Sequence, residues 1–115
     1  MMKDDAQMRA RADALIGALN GQDADAVLRL FIPTAVIDDP STGDRFEGHV
    51  GIRDYFERFF VGYRTRSRIL AIECPANDTV RIRADLTGDF GHEIGRLDVG
   101  YRADGLIIRI DADLE

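Results

Sequence analysis

The sequence predicts an α+β fold, in which three N-terminal helices cover one face of a curved antiparallel sheet. Two patterns favour this class. Apolar residues recur at helical spacing in the first half of the chain, and they alternate with polar residues in the second half. The 115 residues, 45% hydrophobic and 31% charged, have the size and composition of one globular domain, which we assign to residues 1–115.

The first predicted helix spans residues 5–20. Asp4 or Asp5 can cap its start, and the Asn20-Gly21 pair ends it. Residues at helical spacing give this helix one apolar face, which is formed by Met8, Ala12, Leu15, Ile16 and Leu19.

Two shorter helices follow. Asp23 begins the second, which carries Val27, Leu30 and Phe31 on one stripe and ends before Pro33. The segment "AVID" is then a short strand, and "STGDRFEG" is a loop or a second short strand. A third helix begins near His49, and its apolar face is formed by Ile52, Phe56, Phe59, Phe60 and Tyr63.

Four long strands are predicted over residues 63–74, 79–89, 93–102 and 106–114. In the second of them Ile82, Ala84 and Leu86 alternate with charged residues, and the last strand alternates in the same way. This period, with one polar face, is typical of antiparallel strands that pack one side on a core. Turn residues separate the strands at 75–78, 88–91 and 103–105.

The charge of the chain excludes several classes of partner. A net charge of −6 disfavours nucleic acid and anionic membranes, which both need a basic surface. The chain has no apolar run of the roughly 20 residues that a membrane span needs, and its charged N-terminus does not resemble a signal peptide. A single cysteine, Cys74, permits no internal disulfide and suits a reducing compartment. We therefore expect a cytoplasmic protein that binds neither nucleic acid nor membrane.

Three segments resemble the nuclear transport factor 2-like superfamily, which includes ketosteroid isomerases and SnoaL-like polyketide cyclases. They are "ALNGQDADAVLRLF", "AVIDDP" and "FEGHVGIRDYF", and from Ala18 to Phe56 they follow the isomerase-like order without a gap. The resemblance covers nearly the whole chain. It implies a cone-shaped sheet, with four long strands and one or two short ones, wrapped around three helices. The superfamily shares a pocket but little chemistry, so the fold does not name a reaction.

Two adjacent carboxylates end the short strand. Ala35, Ile37 and Asp39 share one face of it, while Val36 and Asp38 share the other. Because Val36 and Ile37 are both apolar, the alternation leaves open which face is inside. The resemblance favours Asp39, since the general base of the isomerases is the acidic residue directly before the proline. The alternative is that both aspartates only begin a turn at Pro40.

A steroid isomerase also needs hydrogen-bond donors to the oxyanion that forms during the reaction. The resemblance places Leu15 and Leu97 where that family has its tyrosine and its aspartic acid. A one-residue shift would bring in Asp98, but it would turn Val99 and Tyr101 away from the core. A missing donor costs about 3 kcal/mol or more of transition-state stabilisation, so we do not expect steroid isomerase activity.

Limonene-epoxide hydrolases share this fold and use an Arg-x-Asp strand pair with a further acid on the last strand. Arg83 and Asp85 match that spacing. Both lie on the polar side of their strand, and the inward position on the last strand is Ala112. We therefore expect Arg83 and Asp85 to form a surface or interface ion pair.

The polar sheet face carries charges of both signs, which usually form cross-strand pairs. In this superfamily the outer sheet face commonly packs against a second subunit, so we predict a homodimer with a charged interface, although a solvated face would have the same pattern. The charged residues are Arg64, Arg66, Arg68, Arg81, Arg83, Arg96 and Arg109, interleaved with Glu73, Asp85, Asp98, Asp111 and Asp113.

The remaining reactive side chains predict little chemistry. His49 is expected to be a surface or capping residue, His92 lies in a hairpin, and neither has a partner at ligand spacing, so no metal or other cofactor is expected. Cys74 is expected to be a buried, inert thiol. Among the tyrosines, Tyr55, Tyr63 and Tyr101 could each place a hydroxyl in a pocket, and Tyr101 is in phase with Leu97 and Val99.

Two hypotheses of function follow from these patterns. In the first, a SnoaL-like enzyme binds a small apolar or polycyclic molecule and uses Asp39 as general acid and base next to a carbonyl group, in an isomerisation or cyclisation. In the second, the same fold binds a ligand or dimerises without catalysis, and Asp39 is only a turn residue. The predicted lining of the pocket is Leu15, Leu19, Ile37, Phe56, Phe59, Ile82, Ala84, Leu86, Leu97, Val99, Tyr101, Ile110, Ala112 and Leu114.

Overall fold

The computed structural model describes residues 5–115, and the predicted cap Asp4 lies outside this range. The helices are α1 (Asp5–Gly21), α2 (Ala24–Leu28) and α3 (Gly48–Phe56), with a 3₁₀ turn at Pro40–Thr42 and a π-helical turn at Glu57–Val61. The strands are β1 (Phe31–Asp39), β2 (Asp44–Glu47), β3 (Arg66–Ala76), β4 (Thr79–Gly88), β5 (Gly91–Tyr101) and β6 (Ile107–Leu114). The α+β prediction of three helices, four long strands and short additional ones is confirmed.

The six strands form one curved, unclosed sheet in the order β2-β1-β6-β5-β4-β3. Four of the five neighbouring pairs are antiparallel, as predicted, but β1 and β6 run parallel. A two-residue hairpin can join only antiparallel strands, whereas β1 and β6 are separated by most of the chain. Their pairing therefore depends on how the whole sheet curves, and local alternation does not predict it.

The start of β1 differs from the sequence prediction. Phe31 was expected on the second helix, before a break at Pro33, but α2 ends at Leu28 and β1 already includes Phe31 and Pro33. The Ile107 amide donates to the Leu30 carbonyl at 2.7 Å, and Phe31 pairs with Ile107. Pro33 is tolerated because the β1–β6 register is irregular between Phe31 and Val36.

The third helix also ends differently. Its α-helical part stops at Phe56, and the following turn is π-helical. A π turn adds a residue and so shifts the phase of the side chains that follow it. Phe60 is consequently buried, whereas Tyr63, predicted on the same apolar face, is 44% exposed.

The core lies between the helices and the concave face of the sheet. It is formed by apolar side chains of α1, α3 and the inward positions of β1, β4, β5 and β6, including Leu15, Phe56, Ile82, Val99 and Ile110. Cys74, predicted to be buried, is exposed near the end of β3, where the last residues of the strand are all exposed and none packs in the core.

On the outer face, two of the predicted cross-strand ion pairs are present. Arg68 contacts Asp85 at 2.9 Å, and Arg81 contacts Asp98 at 2.8 Å. Both pairs join residues directly opposite each other in the β3–β4 and β4–β5 registers.

Candidate functional site

Asp39 is the last residue of β1 and faces inward. Ala35, Ile37 and Asp39 are buried, and only 6% of Asp39 is exposed. Asp38 faces the other side of the sheet, where it lies 3.3 Å from Arg109 on β6. The structure thus resolves the alternative that strand alternation left open, because Ile37 packs in the core and brings Asp39 to the same side.

The Asp39 carboxylate accepts three hydrogen bonds. Its Oδ1 accepts from the Ser41 amide at 3.1 Å and from the Ser41 hydroxyl at 2.6 Å. Its Oδ2 accepts from the Tyr55 hydroxyl at 2.7 Å. Asp39 therefore caps the 3₁₀ turn at Pro40, as the turn alternative required, and also presents a carboxylate to the protein interior.

Tyr55 lies on α3, with its ring packed against Phe46 and Phe59 at centroid distances of 5.0 and 5.4 Å. Burial raises the pKa of its hydroxyl well above the usual value of 10.0, and the nearby Asp39 carboxylate adds to this effect. Tyr55 therefore remains a neutral hydrogen-bond donor at physiological pH. The sequence predicted Tyr101, rather than Tyr55, as the tyrosine that lines the pocket. A pattern that favours Tyr55 is its position one helical turn after the apolar Ile52, which places it on the inward face of the helix.

Three neighbouring spaces, which share lining residues, border this pair. An outer cleft of about 280 Å³ is lined by Asp39, Tyr55 and aromatic side chains that include Phe59, Tyr63 and Phe90. Deeper in the protein lies an inner cavity of about 40 Å³, which shares Asp39, Tyr55, Phe60, Leu86 and Leu114 with the cleft. An apolar cavity of about 20 Å³ lies behind Tyr55 and Phe60. Asp39 and Tyr55 thus stand where the cleft meets the inner cavity.

Most residues predicted to line a pocket border one of these spaces. Leu15, Leu19, Ile37, Phe56, Leu97 and Ile110 line the apolar cavity; Leu19, Ala84, Leu86, Leu97, Ala112 and Leu114 line the inner cavity; Phe59, Leu86 and Leu114 line the cleft.

Three of the predicted lining residues lie elsewhere. Ile82 and Val99 are completely buried in the core. Tyr101 is at the far end of β5, where it lines a different opening with Arg11, Asn77 and Arg102. Five residues of extended chain separate it from Gly95 at the inner cavity. The alternation of the strand therefore placed Tyr101 on the correct face but not at the site.

The side chains that a ketosteroid isomerase or a limonene-epoxide hydrolase would use together with the base are not present beside Asp39. Leu15 and Leu97 border the apolar cavity and offer no donor. Arg83 and Asp85 lie on the outer face, as expected, but the ion pair predicted between them is not formed. Arg83 instead contacts Glu115 at 2.8 Å, and Asp85 contacts Arg68 and His92. The hydrogen bond from Arg68 holds the pKa of Asp85 below its usual value, as in a surface ion pair.

The histidines have structural contacts. His49 Nε2 lies 3.0 Å from the Phe31 carbonyl, and His92 Nε2 lies 2.6 Å from Asp85 Oδ1. Within residues 5–115, no three His, Cys, Asp or Glu side chains are grouped so that they could hold a metal ion. In the same range, no helix is both long and apolar enough to cross a membrane.

The fold and site define a class of protein in which helices cover a curved sheet and an inward carboxylate lies between an apolar cleft and a smaller inner cavity. The model of the SnoaL-like domain family matches residues 12–110, so this chain belongs to that family. This confirms the resemblance to the nuclear transport factor 2-like superfamily. A comparison with curated proteins found no significant match.

Solved structures share the fold at low sequence identity. A candidate ketosteroid isomerase from Kribbella flavida is 18% identical with a TM-score of 0.84, over 100% of this chain and 82% of that one. A candidate polyketide cyclase from Sinorhizobium meliloti is 23% identical with a TM-score of 0.81, over 90% and 93% of the two chains. The epoxide hydrolase/cyclase-like enzyme SalBIII, with a role in pyran ring formation in salinomycin, is 18% identical with a TM-score of 0.85, over 99% and 95%. At these identities the likeness shows the fold alone.

Proposed function

We propose that this SnoaL-like protein binds a small, largely apolar carbonyl compound in the cleft and uses Asp39 as general acid and base in an isomerisation or cyclisation. The observation that carries the proposal is the buried Asp39 carboxylate, held by Tyr55 and Ser41 where the cleft meets the inner cavity. Structural neighbours described as a cyclase and an isomerase are consistent with this reaction class.

The dimensions of the cleft limit the ligand. Its volume of about 280 Å³ is at the lower end of the roughly 300–1,000 Å³ of sites for drug-sized molecules. The aromatic rings of Phe59, Tyr63 and Phe90 offer apolar contact area. A ligand of one or two rings fits this space, whereas a larger polycyclic molecule requires the cleft to widen.

The hydrogen bonds of Asp39 leave it able to accept a proton. A carboxylate has about four lone-pair sites, and three are used by Ser41 and Tyr55. The remaining site is on Oδ2. Tyr55 and Ser41 fix the orientation of the carboxylate, so a ligand carbon held beside Oδ2 could transfer its proton without reorganisation of the base.

Hydrogen–deuterium exchange tests the proposal without a known substrate. 2-Tetralone, a two-ring ketone with exchangeable protons next to its carbonyl, is incubated with the protein in D₂O, and deuterium incorporation is followed by NMR. We expect exchange faster than in buffer and a decrease of about a hundredfold or more in Asp39→Asn, the usual contribution of general acid–base catalysis.

Asp38→Asn is the matched control, because Asp38 is the neighbouring aspartate but faces Arg109 on the opposite side of the sheet. It should exchange at the wild-type rate. Equal rates in wild-type protein and Asp39→Asn, with tetralone bound to both, would instead support the non-catalytic ligand-binding alternative.

A further inference from the structure

Ser67 on β3 is a buried polar residue that the proposed proton transfer does not yet use. Only 7% of it is exposed, and its hydroxyl has no hydrogen-bond partner among the described residues. An unsatisfied buried hydroxyl destabilises the folded state, so its presence here requires an explanation. Ser67 lines the inner cavity that also contains Asp39 and Tyr55.

The other side chains of the inner cavity cannot supply a free donor. Most of them are apolar, Asp113 is an acceptor, and the Tyr55 hydroxyl is already bonded to Asp39. Among the described side chains that line this cavity, the Ser67 hydroxyl is the one donor without a partner. An oxygen atom entering the cavity would therefore find its hydrogen bond at Ser67.

The backbone of Ser67 is held firmly. Asn20, at the end of α1, donates its Nδ2 to the Ser67 carbonyl at 2.8 Å and accepts the Ser67 amide at its Oδ1 at 2.7 Å. The hydroxyl can still move between staggered rotamers by rotation about χ1. The backbone position of Ser67 is therefore restrained, while rotation about χ1 can direct its hydroxyl towards a group in the cavity.

The size of the inner cavity fits a single polar group. Its volume of about 40 Å³ exceeds the roughly 10–15 Å³ that one water molecule requires. It adjoins the cleft at Asp39, since both spaces are lined by that residue. A ligand with its rings in the cleft can therefore extend one oxygen into the inner cavity.

Building on the proposed function, we infer that the Ser67 hydroxyl donates a hydrogen bond to the carbonyl oxygen of the ligand and stabilises the oxyanion that forms when Asp39 removes the adjacent proton. The residue supplies a donor that Leu15 and Leu97 do not.

The proton balance of the step is complete within the site. The carbon–hydrogen bond next to the carbonyl breaks, and its proton goes to Asp39 Oδ2. The electron pair forms a carbon–carbon double bond, while the carbonyl π electrons move to oxygen and give an enolate. The Ser67 hydroxyl bonds to that oxygen without transferring its own proton. Asp39 completes an isomerisation when it returns this proton to a different carbon of a conjugated enolate. In the exchange assay, the proton on Asp39 is first replaced by a deuteron from solvent D₂O, which Asp39 then delivers to the original carbon.

The test compares 2-tetralone with tetralin, which has the same ring skeleton without the carbonyl group. NMR titration measures the affinity of each for wild-type protein, Ser67→Ala and Ser67→Thr, and the D₂O assay measures tetralone exchange. In Ser67→Ala we expect tetralone to bind about threefold to tenfold more weakly, while tetralin binding is unchanged. Exchange should fall about a hundredfold, as for loss of one oxyanion donor. Ser67→Thr, which keeps the hydroxyl, should retain most of the exchange.

The outcomes separate this inference from the proposed function. If exchange depends on Asp39 but Ser67→Ala changes neither tetralone binding nor exchange, the role of Ser67 is wrong and the proposed function stands. The role of Ser67 is also wrong if Ser67→Ala weakens both ligands equally, or if Ser67→Thr is as inactive as Ser67→Ala. If the wild-type protein shows no Asp39-dependent exchange, both ideas fail. Thermal unfolding of each variant checks that it is folded, and Ser67→Ala should be at least as stable as wild type, because it removes a buried hydroxyl that has no partner among the described residues.

Discussion

The Tyr55 hydroxyl donates a 2.7 Å hydrogen bond to Oδ2 of Asp39 and so joins α3 to the end of β1. From the other side, Ser41 bonds to Oδ1 of the same carboxylate. Asp39 is thus a turn-capping residue and an inward-facing acid at once. The two interpretations that the sequence offered for Asp39 do not exclude each other.

Replacing Tyr55 by phenylalanine should destabilise the fold. The ring contacts with Phe46 and Phe59 are retained, but Asp39 Oδ2 loses a buried donor. We expect the free energy of unfolding to fall by about 1–3 kcal/mol, the usual cost of leaving a buried acceptor unpaired. Urea denaturation monitored by circular dichroism measures it.

Tyr63→Phe is the control for this change. Tyr63 is 44% exposed, so loss of its hydroxyl should alter the free energy of unfolding by no more than about 0.5 kcal/mol. Equal destabilisation by the two substitutions would show that the Tyr55–Asp39 hydrogen bond contributes little.

Alkaline pH should destabilise the protein through Tyr101. Burial raises the pKa of its hydroxyl from 10.0 to about 12, although the nearby Arg11 opposes the shift. The unfolded chain therefore releases this proton above pH 10 while the folded protein keeps it. The contribution to stability is fully present below pH 10 and is lost as the pH rises to about 12.

Tyr101→Phe should remove this dependence. Its free energy of unfolding should fall less steeply than that of wild type between pH 10 and about 12, the range set by the two pKa values. Near neutral pH Tyr101→Phe should be at least as stable as wild type, because it removes a buried hydroxyl that has no hydrogen-bond partner among the described residues. Urea titrations over this range test it, and parallel pH profiles would contradict it.

The outer face of β3–β6 is proposed to pack against a second copy of the chain. It carries the Arg68–Asp85 and Arg81–Asp98 pairs, together with Ile108, which is 41% exposed. Sedimentation velocity should show a dimer that Arg81→Glu weakens, because the new carboxylate lies beside Asp98. Arg58→Glu, a charge reversal next to α3 and away from this face, is the control and should remain dimeric. A monomer at all accessible protein concentrations would show that the face is solvated.

The sequence predicted those parts of the fold that depend on local patterns. Alternation placed Ile82 and Ala84 inside and Arg81 and Arg83 outside, and the structure agrees. Prediction was wrong where a distant contact or an irregular helical turn decided the outcome. Phe31 joins a strand because Ile107 pairs with it, and Tyr63 turns outward because a π-helical turn changes the helical phase.

For the candidate site, the sequence identified Asp39 and most of the apolar lining, but not the roles of its polar neighbours Tyr55 and Ser67. Tyr55 is 16 residues away and Ser67 is 28 residues away, and neither spacing is a recognisable motif. Their proximity arises because α3 packs on β1 while β3 lies at the opposite edge of a curved sheet. Contacts between side chains of different elements leave no periodic pattern in the sequence, so periodicity does not predict them.

By itself, the sequence determined the fold class, the family resemblance and the position of one carboxylate at the end of a strand, because period, turns and composition are local properties. Only the tertiary structure decided that Asp39 faces inward, that Tyr55 bonds to it and that Ser67, whose hydroxyl has no partner among the described residues, lines the same cavity. The physical reason is that burial and hydrogen bonding depend on which elements pack against each other, and the curvature of the whole sheet determines that packing.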